Sequence, residues 1–190
     1  CRRCGRGQFI DNPGQQKCKF CPKGKYSNEE GARSESECAG RCSPGKYSNE
    51  EGLIADSACK ACVAGRWSFE TGLQRSDECT VCLKGRYNDE VGRIRACTPC
   101  PVGTFNDAKC GSEEDHNTKS SCKICGADKY QNEIGQERCK ICQASLKILD
   151  NGGDRLQHLR RQDCQDPNKI PVSWFCSFTI GLLMLYNVSN

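Results

Sequence analysis

The chain has 190 residues, with 28 Lys or Arg against 24 Asp or Glu, a formal charge of +4. Nineteen residues are cysteine and only 7 % are Phe, Trp or Tyr, which excludes an ordinary apolar core and marks a disulfide scaffold. Basic and acidic residues interleave without a basic block, which argues against nucleic-acid binding, and the cysteine content places the chain outside the cytosol.

In chain order, the sequence opens on Cys1, already inside a repeating pattern, and its one methionine is Met184. It therefore reads as a piece of a longer secreted polypeptide. Eight cysteine pairs follow: Cys1/Cys4, Cys18/Cys21, Cys38/Cys42, Cys59/Cys62, Cys79/Cys82, Cys97/Cys100, Cys122/Cys125 and Cys139/Cys142. Their first cysteines are spaced 17, 20, 21, 20, 18, 25 and 17 residues apart, and Cys164 comes 25 after Cys139. Such a period predicts a stack of small units. Counted from each first cysteine, the units are 1–17, 18–37, 38–58, 59–78, 79–96, 97–121, 122–138 and a degenerate 139–164, followed by an apolar tail, 165–190. The expected fold is small and disulfide-rich: an elongated tandem array of about eight irregular β-ribbon modules, each touching mainly its sequence neighbours.

Within the units the copies can be laid over one another. A first glycine recurs at Gly7, Gly24, Gly45, Gly65, Gly85 and Gly103. Two residues on stands an aromatic: Phe9, Tyr26, Tyr47, Trp67, Tyr87, Phe105 and Tyr130. Being the main large apolar group of its unit, each is expected to cover a cystine as the module core. An Asx follows in most units (Asp11, Asn28, Asn49, Asp89, Asp107, Asn132), then a closing glycine; together they read as turn chemistry. Five units also carry a base before the aromatic and an acid four residues later, Lys25/Glu29, Lys46/Glu50, Arg66/Glu70, Arg86/Glu90 and Lys129/Glu133, which suggests ion pairs. Unit seven has Asp128 in place of its first glycine, and unit eight has Ser145 and Lys147 at the glycine and aromatic positions. Leu156 to Arg161 suggests a helical turn. Ser27, Ser48 and Ser68 read as exposed serines, with O-glycans as the other reading.

The motif C-x-x-C-P-x-G-x-Y-S-x-x-x-G with a closing cysteine, at Cys18 to Cys38, resembles the ephrin-receptor-like cysteine-rich repeat. It also resembles the first submodule of tumour-necrosis-factor-receptor cysteine-rich domains. Cys97-Thr-Pro-Cys100-Pro-Val-Gly-Thr-Phe105 is a second match, and the likeness runs to about residue 164. The resemblance implies that each second cysteine bonds the next first cysteine: Cys4 to Cys18, Cys21 to Cys38, Cys42 to Cys59, Cys62 to Cys79, Cys82 to Cys97, Cys100 to Cys122, Cys125 to Cys139 and Cys142 to Cys164. Spacing alone leaves an interlocked pattern open. Cys1, Cys110 and Cys176 stay unassigned: Cys1 reads as paired with a preceding segment, Cys110 as bridged to Cys100, Cys122 or Cys176, and an intermolecular or free thiol is the other reading. Zinc is the chemical rival, since several adjacent pairs come near C-x2-C-x15–20-C-x2-C. The glycine–aromatic grammar favours disulfides, and no cofactor or metal is expected.

The tail from Ile170 to Tyr186 carries no charge. Val172, Trp174, Phe178 and Ile180, with Cys176, share one face of an alternating strand, which suggests packing on another subunit; a membrane helix or anchor is the competing reading. Asn187-Val-Ser is the glycosylation sequon. His116 and His158 lie in irregular polar segments and read as surface residues, so nothing points to catalysis. The leading expectation is a structural subunit or segment of an extracellular filament or cell-surface appendage such as a flagellar hair, its partners being other copies of itself. The alternative is a receptor ectodomain that binds a protein ligand.

Overall fold

The computed structural model describes residues 3–108, 114–143, 145–148 and 153–166. Among these, seven two-stranded antiparallel ribbons follow one another along the chain. They pair Gln8–Phe9 with Lys19–Phe20, Lys25–Tyr26 with Gly40–Arg41, Lys46–Tyr47 with Lys60–Ala61 and Arg66–Trp67 with Thr80–Val81. The remaining three pair Arg86–Tyr87 with Thr98–Pro99, Thr104–Phe105 with Lys123–Ile124, and Lys129–Tyr130 with Lys140–Ile141. Each ribbon joins the aromatic strand of one unit to residues between the cysteines of the next. The ribbons thus straddle the points at which the sequence repeat begins.

Disulfides close every ribbon: Cys4–Cys18, Cys21–Cys38, Cys42–Cys59, Cys62–Cys79, Cys82–Cys97, Cys100–Cys122, Cys125–Cys139 and Cys142–Cys164. In the chain-entropy account, a loop of this length contributes about 3 kcal/mol by restricting the unfolded chain. No α-helix occurs among the described residues; single 3-10 turns such as Glu35–Glu37 and Asp56–Ala58 precede several closing cysteines. Unit eight keeps the geometry that its sequence had largely lost. Ser145 holds φ 70° where other units use glycine, and Lys147 and Gln165 exchange two backbone hydrogen bonds of 2.8 and 2.7 Å. A short 3-10 turn, Arg155–His158, follows there, with Asp154 capping the Leu156 N–H.

Successive units are sewn together by a recurring backbone lattice. The N–H groups of Gly31, Gly52, Gly72, Gly92 and Gly135 donate to the carbonyls of Cys4, Cys21, Cys42, Cys62 and Cys100, at 2.7–2.8 Å. Contact then extends one unit further than nearest-neighbour stacking would allow. The first glycines Gly7, Gly24, Gly45 and Gly85 lie against the closing glycines Gly52, Gly72, Gly92 and Gly135, each two units on. The Lys84–Glu137 ion pair at 3.2 Å spans the same interval. The coil is tight because two glycine backbones meet where a side chain would keep them apart.

This close approach decides what is buried. The cystines form the apolar interior: fourteen of the sixteen paired cysteines are buried, all but Cys18 and Cys139, and small clusters such as Phe9, Cys21, Ala32 and Cys38 form around them. Of the seven aromatics, Phe9 is buried, while Tyr26, Tyr47, Trp67, Tyr87, Phe105 and Tyr130 are half-buried. Tyr26 packs on the following unit's cluster of Cys42, Leu53 and Cys59. In the six units after the first, the residue following the aromatic points inward instead: Ser27, Ser48, Ser68, Asn88, Asn106 and Gln131 are all at most 4 % exposed. The expectation of exposed or glycosylated serines is therefore overturned. Their oxygens are satisfied locally, since Ser48 Oγ accepts from the Glu50 N–H at 3.1 Å and Asn88 Oδ1 accepts from the Glu90 N–H at 3.0 Å. A small polar group satisfied by its own turn can be covered at little cost.

The histidines are corrected in the same way, for both are fully buried. The backbone N–H groups of Asn88 and Gln131 donate to the His116 and His158 carbonyls, each at 2.8 Å. Leu53 and Leu73 occupy the matching place in earlier units, accepting from Ser27 and Ser48. Side-chain Nδ1 of His116 lies 2.9 Å from the Arg86 carbonyl, and that of His158 lies 3.1 Å from the Lys129 carbonyl. Each histidine thus fills, in one of the two long units, the slot held by Leu53, Leu73, Arg93 and Gln136 in units three, four, five and seven.

Candidate functional site

The ribbons of units six to eight frame an open groove of about 560 Å³. Its apolar floor comes from Phe105, Ile124 and Ile141, and Ile141 is 73 % exposed. Local pairing sets these positions: Ile124 lies opposite Thr104, and Ile141 opposite Lys129, in adjacent ribbons. Lys84, Lys129 and Arg138 supply positive charge around the rim, and Asp107 and Glu137 supply negative charge. Both acids are engaged within the chain, Asp107 with Lys123 at 2.9 Å and Glu137 with Lys84 at 3.2 Å. The Lys123 ammonium holds the Asp107 carboxyl below its ordinary range. A groove with an apolar floor and a charged rim suits an extended peptide segment more than a reacting small molecule.

Sequence reasoning placed Phe105 among the core aromatics and missed the rest of this groove. A signal was available. The residue before each second cysteine is Arg3, Phe20 and Arg41 in the first half, then Ala61, Val81, Pro99, Ile124 and Ile141. That column becomes wholly apolar towards the groove. In the structure, Phe20, Arg41, Ala61 and Pro99 lie over the closing glycines Gly52, Gly72, Gly92 and Gly135 of the next unit, which aligns the column along the array.

The ion pairs also differ from the expected ones. Lys25 reaches Glu35 at 3.0 Å and Lys46 reaches Asp56 at 2.6 Å, both in the 3-10 turns before the closing cysteines. Arg86 donates to the Cys97 carbonyl at 2.9 Å. The acids look the other way: Glu50 pairs with Lys60 at 2.7 Å and Glu133 with Lys140 at 2.5 Å. Antiparallel pairing explains this, because it brings the residues flanking the next cysteine within reach on either side of the aromatic strand. The Asx residues join the same cross-ribbon row, with Lys19 on Asp11 at 2.7 Å and Lys60 on Asn49 at 3.0 Å.

Lys46 and the Ser43 N–H together hold the Asp56 carboxyl below its ordinary range, the lysine hydrogen bond being the larger cause. A lowered folded-state value means that this pair stabilises the fold above the unfolded carboxyl's titration and ceases to do so as pH falls through the folded one. A double-mutant cycle on Lys46→Ala and Asp56→Ala, read by denaturant unfolding at neutral pH, should give a coupling of about 0–1 kcal/mol. The cycle on Lys46 and Glu50 should give none. The Lys46–Asp56 coupling should shrink in acid.

The sixteen cysteines expected in disulfides are all joined in the second-to-first register. No group of three or more His, Cys, Asp or Glu able to hold a metal occurs among the described residues. Nor is any described helix long and apolar enough to cross a membrane. Cys1, Cys110 and Cys176, the tail positions Val172, Trp174, Phe178 and Ile180, and Asn187 lie outside the described residues.

Residues 1–38 match the family model described as tyrosine-protein kinase ephrin type A/B receptor-like. Over 143 residues, 75 % of the chain, the sequence is 32 % identical to a protein of Mus musculus named "Sushi, von Willebrand factor type A, EGF and pentraxin domain-containing protein 1". The protein of the same name from Rattus norvegicus matches with the same identity over the same length. The chain spans about 4 % of the length of these curated relatives.

Proposed function

We infer that this chain, which carries ephrin-receptor-like cysteine-rich repeats, is a protein-binding segment of a larger extracellular or cell-surface protein. Eight disulfides suit an oxidising compartment. The observation that carries the binding role is the groove, whose exposed Ile141 and half-buried Ile124 and Phe105 sit on two ribbons, closed by Cys100–Cys122 and Cys125–Cys139. Rigid apolar surface inside a charged rim costs little ordering when a partner docks. The reading is non-catalytic: the chain recognises a protein and holds it at a set place along an array of ribbons.

A structural role in a filament is the second reading. The observation in its favour is the regular stacking, in which the same glycine-to-glycine contact recurs at four places along the chain. In this reading other copies of the chain are the partners, and the groove is one of their contacts.

Light scattering and negative-stain imaging of the purified chain separate the two. The binding reading expects a monodisperse particle that retains a protein from conditioned medium, with retention reduced at least about ten-fold by Ile124→Glu/Ile141→Glu. Regular fibres that the same double variant abolishes would support the filament and overturn the first reading.

A further inference from the structure

We propose that Cys4–Cys18 and Cys125–Cys139 are thiol-exchange sites, opened by an anionic small-molecule thiol while the other six disulfides stay closed. Units one and seven are twins in sequence. Gly14-Gln15-Gln16-Lys17-Cys18-Lys19-Phe20-Cys21 is matched position for position by Gly135-Gln136-Glu137-Arg138-Cys139-Lys140-Ile141-Cys142. Their disulfides close the shortest loops, with a separation of 14 against 15 to 22 elsewhere.

Shortness removes a shield. In units two, three, four, six and eight a 3-10 turn lies immediately before the closing cysteine, as Ser76–Glu78 does before Cys79. Those closing cysteines are 1–9 % exposed. Unit five lacks the turn, but the Arg93 guanidinium takes its place, donating to the carbonyls of Arg95 and Ala96 and to the Thr98 hydroxyl, and Cys97 stays 3 % exposed. Units one and seven have neither device, and Cys18 and Cys139 are partly exposed.

Charge selects the same two positions independently. Cys18 lies between Lys17 and Lys19, and Cys139 between Arg138 and Lys140; Lys19 and Lys140 are paired with Asp11 and Glu133, so Lys17 and Arg138 carry the charge that acts on an incoming anion. Glu37, Glu78 and Asp163 precede Cys38, Cys79 and Cys164. Flanking cations attract an anionic thiolate and stabilise thiolate formed at the site; flanking carboxylates do the reverse.

The chemistry balances with two equivalents of the thiol. A first thiolate attacks Cys18 Sγ, forming a mixed disulfide; the Cys4–Cys18 bond breaks and its electron pair leaves on Cys4 Sγ, which takes a proton from water. A second thiolate attacks the small-molecule sulfur of the mixed disulfide, releasing Cys18 as thiolate and the small molecule as its disulfide. Two electrons pass from the thiols to the protein. At Cys125–Cys139 the same steps begin on Cys139 Sγ.

The test incubates the folded full chain with reduced glutathione at about pH 8, blocks free thiols with N-ethylmaleimide at intervals, and maps the labelled cysteines by mass spectrometry. Among the sixteen paired cysteines, Cys4, Cys18, Cys125 and Cys139 should label at least about ten-fold faster than the other twelve. In a second arm, Lys17→Glu and Arg138→Glu, both at exposed positions, should each lower the ratio of glutathione to cysteamine rates at their own disulfide, because the cysteamine thiolate carries a compensating ammonium. All-or-none reduction, or first labelling at any other pair, would overturn the proposal. So would a ratio that the charge reversals leave unchanged.

Discussion

Replacing Cys62 and Cys79 together by alanine is expected to cost about 2–5 kcal/mol. It should also melt the middle of the array before its ends. Both cysteines are 1 % exposed, so the change removes interior as well as a cross-link. Backbone bonds to both neighbouring units run through this point: the Cys62 N–H donates to the Gly45 carbonyl, and the Cys62 carbonyl accepts from Gly92. Few large apolar side chains stand ready to compensate, since most buried residues other than cysteine are small or polar. Denaturant unfolding of the double variant measures the cost. Hydrogen exchange locates it: protection should fall at Gly65, Cys82 and Gly92, and persist at Gly7 and Gly135. Loss of protection spread evenly over all units would contradict an array held unit by unit. Retained stability would mean that packing, not sulfur, holds the middle.

Gly85→Ala is expected to cost about 2–5 kcal/mol through two separable effects. Gly85 has φ 72°, in the left-handed region. Its new Cβ would also overlap the Gly135 carbonyl two units away. Neither backbone can withdraw easily, because the Gly85 N–H donates to Asn106 at 2.8 Å and the Gly135 N–H donates to Cys100 at 2.8 Å. Two controls divide the cost. Gly14 has φ 89° with open space around its Cβ direction, so Gly14→Ala should show the conformational part alone, about 1–2 kcal/mol. Gly126 has neither restriction, its nearest neighbour being Asp128 Oδ1 at 3.5 Å, so Gly126→Ala should stay within about 0.5 kcal/mol. Equal losses at Gly85 and Gly14 would remove the stacking explanation.

Much of the ribbon architecture is legible from cysteine spacing and from the glycine-x-aromatic motif, because a ribbon closed by its own disulfide is a local object. What resists reading is burial. Ser48 and Asn88 look like exposed turn residues in their own units; they are covered only when the following unit lies over them. His116 and His158 do share a mark in the sequence. Each stands sixteen residues after the second cysteine of its long unit and six before the closing one. That coincidence marks one structural slot used twice. The groove was less legible still, since the position of Ile124 and Ile141 varies among the other units from Arg3 and Arg41 to Phe20, Ala61, Val81 and Pro99, and their sequence separation hides that they form one floor.

Composition and spacing by themselves determined the class of molecule: short loops, sulfur in place of a core, and a turn wherever glycine recurs. These follow from covalent distance along the chain, which a sequence states directly. Only the tertiary structure decided that units touch two steps apart, that the polar residue after six of the seven aromatics turns inward, and that Lys46 chooses Asp56 over Glu50. Those outcomes depend on the angle at which one coil settles on the next. That angle is set by paired glycine backbones approaching through space, a distance that no spacing in the sequence records.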